Sequence, residues 1–465
     1  MTRWTIATLI ALAMAPAPAG AQVLGTAPQL PPDSPFLGSR PSGTPTTQPL
    51  PLSLKDAVDR ALDHNLGLLI QEEAVQHARG ARWRALAALL PDVSASVGES
   101  RQVLNLAAFG FETDEPIVGP FNVFDARVAV SQPVIDVSAL NDAKAASLNE
   151  RAARYGINTA RDLVTLVAVN LYLETIAAQS RIEMTRAQQE TADALLTQAR
   201  DLERSGLVAG IDVLRAQVQQ QTQRQRMIVA ENQFEKSKLQ LARAIGLPPG
   251  QPVTLTDRIP FAPTPEPTLD QALARAYASR SDYLAAQSRL EAAQATARSA
   301  AAAHLPSLHV DANYGALGQT THEAHSTYTV SANVRIPLFD AGRMTARRID
   351  AAAEVRQRTA ELADFKARIE FEVRSALLDL RAAEQQLQVA QTNVQLANDE
   401  LQQARDRFAA GVASNLEVTQ AQESVASASE SHISALYAHN LAKASLARAL
   451  GIAEEAIAAY LGGRQ

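Results

Sequence analysis

Between Pro337 and Gly411 large apolar residues recur every seventh position: Val373, Leu380, Leu387, Val394, Leu401 and Phe408. Ala376, Ala383, Ala390, Ala397 and Ala404 keep the same period three positions on. A large residue at one site and alanine at the other is the pattern of a heptad seam. Neither proline nor glycine interrupts the run after Gly342, so the pattern predicts one helix about 100 Å long. After Gly411-Val-Ala-Ser-Asn415, Val418 and Val425 open a returning helix on which Ala421, Ala428, Ala435, Ala442 and Ala449 hold the same spacing. Alanine at each such site lets a neighbouring helix approach closely. The heptads alone fit a coiled-coil rod as well as the wall of a tube.

The rest of the chain alternates this period with a shorter one. Leu54 to Leu90 reads as a helix, with Leu54, Ala57, Val58, Ala61 and Leu62 on one face, Ser53 as N-cap and Asp56 at the capping-box position. Pro91 ends it, and the period drops to two. Val93, Ala95 and Val97 alternate with Ser94, Ser96 and Gly98; beyond a loop from Asn105 to Pro120, Phe124, Ala126, Val128 and Val130 alternate with Asp125, Arg127, Ala129 and Ser131. These are two strands, each with one apolar and one polar face. Pro133 closes the second, a helical run extends to Arg204, a turn follows, and Ile211 starts a helix that Gly246 and Pro248-Pro249 terminate.

Then the pattern begins again. Thr268-Leu269 answers Ser53-Leu54, Pro306 answers Pro91 at an offset of 215, and Pro337 answers Pro133 at an offset of 204. Gly411 answers Gly206, and Leu446-Ala-Arg-Ala-Leu-Gly451 answers Leu241-Ala-Arg-Ala-Ile-Gly246, both at 205. Leu308, Val310, Ala312 and Tyr314, then Tyr328, Val330, Ala332, Val334 and Ile336, form the apolar faces of the second strand pair. The chain is an internal duplication. The drop in offset predicts a second inter-strand loop 11 residues shorter than the first. In the first half Ala178, Ala192 and Ala199 continue the seam and Thr185 interrupts it.

Strands of about ten residues with one apolar face are the signature of a transmembrane barrel in an exported chain. The first residues look like an export signal: Arg3, an apolar stretch from Trp4 to Ala15, and Ala19-Gly-Ala21 before Gln22. That stretch is shorter than the ~20 residues of a membrane span, and no later stretch reads as a transmembrane helix. Four strands cannot close a membrane barrel, and open edges are not tolerated in lipid. Self-assembly is therefore expected: two copies would enclose a filled barrel, three a wider one with an aqueous lumen. Ser94, Ser96, Asp125, Arg127, Asn313, Thr329, Asn333 and Arg335 would line the interior. A strand pair in a soluble sandwich is the competing arrangement.

Composition narrows the function. The 465-residue chain contains no cysteine, so disulfides, thiolate metal sites, cysteine nucleophiles and a cysteine-linked lipid are not expected. Its net charge of −6 without a basic block gives nucleic acid no electrostatic footprint. Gln22 to Pro51 is rich in Pro, Gly, Ser and Thr and reads as an extended or disordered arm without a core. The expected organisation is a signal peptide at 1–21, the arm at 22–51, repeats at 52–247 and 268–452 joined by a connector at 248–267, and a tail at 453–465. No nucleophile–base arrangement or phosphate loop appears, so neither an enzyme nor a cofactor is expected. His322-Glu323-Ala324-His325 lacks the helical zinc-motif spacing, and His304 and His309 lie on other elements, so no metal site is expected. Phe109, Phe111, Phe121 and Phe124 belong either to an aromatic girdle or to a packed loop.

The duplicated layout, the proline-bounded strands and two tip motifs carry a resemblance. Gly206-Leu-Val-Ala-Gly-Ile-Asp-Val-Leu-Arg-Ala-Gln217 and Gly411-Val-Ala-Ser-Asn-Leu-Glu-Val-Thr-Gln-Ala-Gln422 are similar to the helix-turn tips of the TolC family of outer-membrane efflux channels. From Pro51 to Ile452 the chain resembles that family. The resemblance implies an α+β membrane protein: a homotrimer whose 12-stranded β-barrel, four strands per chain, continues into a long periplasmic α-helical coiled-coil barrel. It implies an exit duct in a tripartite efflux or type I secretion system, set in outer-membrane lipid. The partners would be a periplasmic adaptor (membrane fusion) protein and an inner-membrane transporter. The docking tips would be Gly206, Leu207, Val208, Gly210 and Ile211, with Gly411, Val412, Ser414, Asn415 and Leu416. Glu417 and its counterpart Asp212 would stand at the periplasmic gate, although Gln420 occupies a position where some members carry a second acid. Without that role, Glu417 is a helix N-terminal acid favoured by the macrodipole. The alternative function is a periplasmic coiled-coil adaptor without its own pore; adaptors carry one hairpin and no lipid-facing strands.

Overall fold

The computed structural model describes residues 30–110, 115–257, 267–410, 412 and 414–460. The export signal, the start of the arm, Phe111, residues 258–266 of the connector, Gly411 and the end of the tail lie outside the described residues.

The element order repeats. The first half runs α1 (Leu54–His64), α2 (Leu66–Ala87), β2 (Asp92–Asn105), β3 (Ile117–Ile135), α3 (Val137–Arg204) and α4 (Gly210–Ala244). The second runs α5 (Leu269–Ser279), α6 (Ser281–Ala302), β5 (Ser307–Gly318), β6 (His325–Arg335), α7 (Arg343–Ala409) and α8 (Asn415–Ala449), followed by α9 (Ala453–Tyr460). The short strands β1 (Leu50–Leu52) and β4 (Val253–Leu255) pair in parallel. The paired helices match in length: 11 residues in α1 and α5, 22 in α2 and α6, 68 and 67 in α3 and α7, and 35 in α4 and α8. Both halves open on a capping box, Ser53 with Asp56 and Thr268 with Gln271. Gly246 and Gly451, at φ +73° and +72°, end α4 and α8 in the left-handed region that favours glycine.

Three expectations change. Leu54 to Leu90 is two helices, because the Asn65 side chain accepts the Gly67 and Leu68 amides at 2.9 and 3.3 Å and so caps a new helix. Residues 30–51 are not a free arm. Phe36 packs on the first-half core, Leu52 is buried, and Arg40 and Ser42 donate their amides to the carbonyls of His64 and Gly246. Burial of these few apolar side chains docks the segment despite its composition. The loops differ less than expected: 11 residues separate β2 from β3 and 6 separate β5 from β6, the remainder lying in the longer first strands, with β3 continuing past Pro133. In addition, α3 contains one 18-residue window apolar enough to span a membrane, but 67% of that window is buried inside the fold.

The sheet order is β2-β3-β5-β6, antiparallel throughout. Its register aligns the alternation across all four strands. Ala95, Val128, Tyr314 and Tyr328 form one cross-strand row, and Val93, Val130, Ala312 and Val330 the next. Tyr328 is 77% exposed and Val330 68%, so this face is apolar and uncovered. The other face is polar: Asp311 accepts from Ser131 Oγ at 2.6 Å and from Asn333 Nδ2 at 2.9 Å, and Arg127 Nε donates to Asp125 at 2.7 Å. Both edges, β2 and β6, are unpaired among the described residues.

Below the sheet the helices form two antiparallel hairpins, α3/α4 and α7/α8, with α3 packed on α8. The seam predicted on α7 is where the core sits: Val373, Leu380, Leu387, Leu401 and Phe408 are buried, as are Ala376, Ala383, Ala390, Ala397 and Ala404. On α3, Ala178, Thr185, Ala192 and Ala199 are all buried, so Thr185 fits the stripe it seemed to interrupt.

Candidate functional site

The far ends of the two hairpins meet. At the first, α3 stops because Gly206 turns to φ +70°. The Gly206 amide then reaches the Glu203 carbonyl at 2.9 Å and the Leu207 amide the Leu202 carbonyl at 2.9 Å. Ala209 precedes α4 without a side-chain cap, and Gly210 is its first residue. At the second tip the Val412 amide returns to the Arg407 carbonyl at 3.0 Å, and the Ser414 carbonyl accepts the Glu417 amide at 3.1 Å.

Of the tip residues singled out, most apolar ones face outward. Leu207 is 72% exposed, Ile211 52%, Val412 69% and Leu416 49%. Val208 does the opposite. It packs with Leu195 of its own hairpin against Leu401, Phe408 and Val418 of the other. That cluster fastens one tip to the next and was not evident in the sequence, which gave Phe408 a place on a seam but no partner. Asn415 is the first residue of α8 and Gly411 lies outside the described residues.

Both gate candidates have arginine neighbours. Glu417 Oε1 is 3.2 Å from Arg407 Nε, across the turn of its own hairpin. Asp212 Oδ1 is 3.3 Å from Arg215 Nη1, one helical turn on, and its side chain is only 18% exposed. The structure gives each a local counter-charge. Neither arginine stood out in the sequence, because an arginine on a polar helix face is ordinary.

Above the tips, polar contacts tie one hairpin to the other. Arg226 Nη2 of α4 donates to Glu423 Oε2 of α8 at 2.8 Å, and Gln219 Nε2 to Glu423 Oε1 at 3.0 Å. Burial works to raise the Glu423 carboxyl, but these hydrogen bonds outweigh it and hold the group below its ordinary value. Farther up, Arg181 of α3 grips both oxygens of Glu430 of α8 at 2.9 and 3.0 Å. These pairs join residues 197 to 249 positions apart. Among the described residues no three His, Cys, Asp or Glu side chains group as metal ligands would.

Residues 57–247 and 272–452 match the model of the outer membrane efflux protein family. Protein CyaE of Bordetella pertussis is 33% identical over 408 residues, covering 85% of this chain and 83% of that protein. The pyoverdine export outer membrane protein OpmQ of Pseudomonas putida is 25% identical over 306 residues, 65% of each chain. The crystal structure of the outer membrane protein VceC from Vibrio cholerae superposes with a TM-score of 0.73 at 20% identity, over 86% of this chain and 96% of that one.

Proposed function

Because the chain belongs to the outer membrane efflux protein family, an outer-membrane channel with a large periplasmic portion, we propose that three copies join into one passive exit duct. The observation that carries this is the sheet: four strands, one continuous apolar face and two unpaired edges. Pairing β2 of one copy with β6 of the next satisfies both edges, and three copies close a 12-stranded barrel with its polar face inward. The α4 and α7 helices, which flank the α3–α8 contact, carry exposed Ile228, Val229 and Leu239, and Phe371, Leu378 and Leu396. Packing these faces against each other between copies continues the closure down the helices.

The tips then point into the periplasm. Exposed Leu207, Ile211, Val412 and Leu416 are the surface that a periplasmic adaptor would cover, and an inner-membrane transporter behind it would supply the energy. Gly206, Gly210, Ser414 and Asn415 shape the turns that present this surface, and Val208 braces it from within. Glu417 and Asp212 narrow the mouth. OpmQ is a pyoverdine export protein, and this chain would serve export without catalysis of its own. The adaptor alternative fares worse, because this chain has two hairpins and an apolar sheet face.

Conductance of the purified full chain in planar bilayers tests the proposal. Discrete ion-conducting steps, with recovery from the outer-membrane fraction, are expected. A protein recovered from the soluble periplasm that never conducts would overturn it.

A further inference from the structure

Among the described residues the most exposed large apolar side chains are not at the tips. They are Leu338, 91% exposed, and Phe339, 88%, in the seven residues from Ile336 to Gly342 that join β6 to α7. A built turn holds them out. The Asp340 carboxylate accepts the Met344 amide at 2.6 Å and the Gly342 amide at 3.2 Å, and its carbonyl accepts Arg343 Nε at 3.2 Å. Ala341 and Gly342 both stand in the left-handed region, at φ +55° and +87°. A residue other than glycine is uncommon there, so the turn is specified rather than slack.

Three arginines follow at once. Arg343, Arg347 and Arg348 open α7 and are all exposed. Among the described residues none of them has a carboxylate partner. Asp340 is engaged by the amides of its own turn, and the next acid along the helix is Asp350. The first half has no equivalent. There β3 continues to Ile135 because β5 pairs with it, and Lys144 is the one basic residue from Val134 to Glu150. The segment also stands at the lower rim of the uncovered apolar face. The upper rim is the row of Tyr314 and Tyr328, since two rows higher on that face Glu99 Oε1 accepts from Asn122 Nδ2 at 3.1 Å. Leu338 keeps the phase of Val330, Val334 and Ile336 and lies ten residues beyond Tyr328. At the rise and tilt of barrel strands that is about 25 Å, the height of a lipid-facing band.

We propose that this segment anchors anionic phospholipid of the periplasmic leaflet. Leu338 and Phe339 enter the acyl region, and Arg343, Arg347 and Arg348 hold the phosphate headgroups. Guanidinium and phosphate form charge-assisted, often bidentate hydrogen bonds, and clustered arginines beside a membrane attract anionic lipid. A second copy fits the segment less well. Pairing β2 against β6 would bring the end of α2 beside it, and that end is itself basic, with Arg79, Arg82 and Arg84 and no acid from Ala74 to Pro91. The inference rests on the reading of the sheet as a barrel in lipid.

The chain has no cysteine, so a single introduced cysteine carries a single nitroxide label. Phe339→Cys and, as a marker of the sheet, Val330→Cys are labelled separately in the full chain, in vesicles of phosphatidylethanolamine and phosphatidylglycerol. Power saturation compares exposure to oxygen, which concentrates in lipid, with exposure to a water-soluble nickel chelate. Both labels should favour oxygen. If the Val330 label favours oxygen and the Phe339 label favours nickel, or is shielded from both by a second copy, the anchor is wrong and the barrel stands. If the Val330 label favours nickel, the barrel reading fails and takes the anchor with it. The headgroup is tested on the unlabelled protein with spin-labelled lipids. Phosphatidylglycerol should be held roughly fivefold more tightly than phosphatidylcholine, and R343Q, R347Q and R348Q together should abolish that preference. Equal association of the two lipids, or a preference that the triple variant keeps, would overturn the assignment.

Discussion

At the scale of single residues, the tips combine acids with their own neutralising arginines. In the proposed duct, Arg407 beside Glu417 would temper the charge that three copies place at the mouth. Arg407→Ala should therefore raise the cation preference of single channels, and Glu417→Ala should lower it. If the Glu417 variant keeps the wild-type preference, the gate assignment is wrong. Two buried groups elsewhere set opposite pH trends. Burial pushes Asp162 up to about 6 although Arg448 partly opposes it, while burial and then Lys443 push His439 down to about 4. Between the unfolded aspartate value of 3.8 and pH 6 the native state holds the extra proton on Asp162, so that contribution to stability falls as pH rises and stays low above 6. For His439 the unfolded state holds the extra proton between pH 4 and 6.5, so stability is lost as pH falls through that window. Asp162→Asn should accordingly stabilise the protein at pH ~7.5 by on the order of 1 kcal/mol. His439→Gln should flatten the acid side of the profile. Thermal midpoints followed by circular dichroism across pH check both; the same acid-side slope in the His439 variant would contradict the second.

At the scale of elements, period was a reliable guide to face and a poor one to partner. The alanine and leucine stripes of α7 and the four alternating strands were legible because each residue's side is fixed by helix or strand geometry alone. The register could then only pair apolar with apolar rows, since a one-residue slip would invert every side chain. What escaped is what depends on distant contacts. Asn65 splits the first helix through its own side chain, a signal that was present but outweighed by unbroken helical composition. Phe36 docks the arm on residues far along the chain. Val208, Phe408 and Val418 meet only because two hairpins pack side by side, as do Arg226 with Glu423 and Arg181 with Glu430. Phe408→Ala removes the largest member of the tip cluster and should cost about 3–5 kcal/mol locally. Hydrogen exchange should then speed up at both tips, around Val208 as well as Val418. Acceleration confined to the α7/α8 tip would show that the two hairpins are not fastened there.

At the scale of the whole molecule, duplication and incompleteness belong together. One chain supplies two strand pairs and two hairpins, which leaves two sheet edges and two apolar helix flanks unmet. One chain is thus a third of the proposed duct. In that duct lipid would cover the apolar sheet face and other copies the edges, while the docked segment from Ser34 to Leu52 straps the upper helices of its own chain. Native mass spectrometry of the full chain, extracted in detergent from outer membranes, tests this most directly. A species of three copies that falls to monomers only on heating is the predicted result. A folded single chain, or a stable pair, would contradict the account.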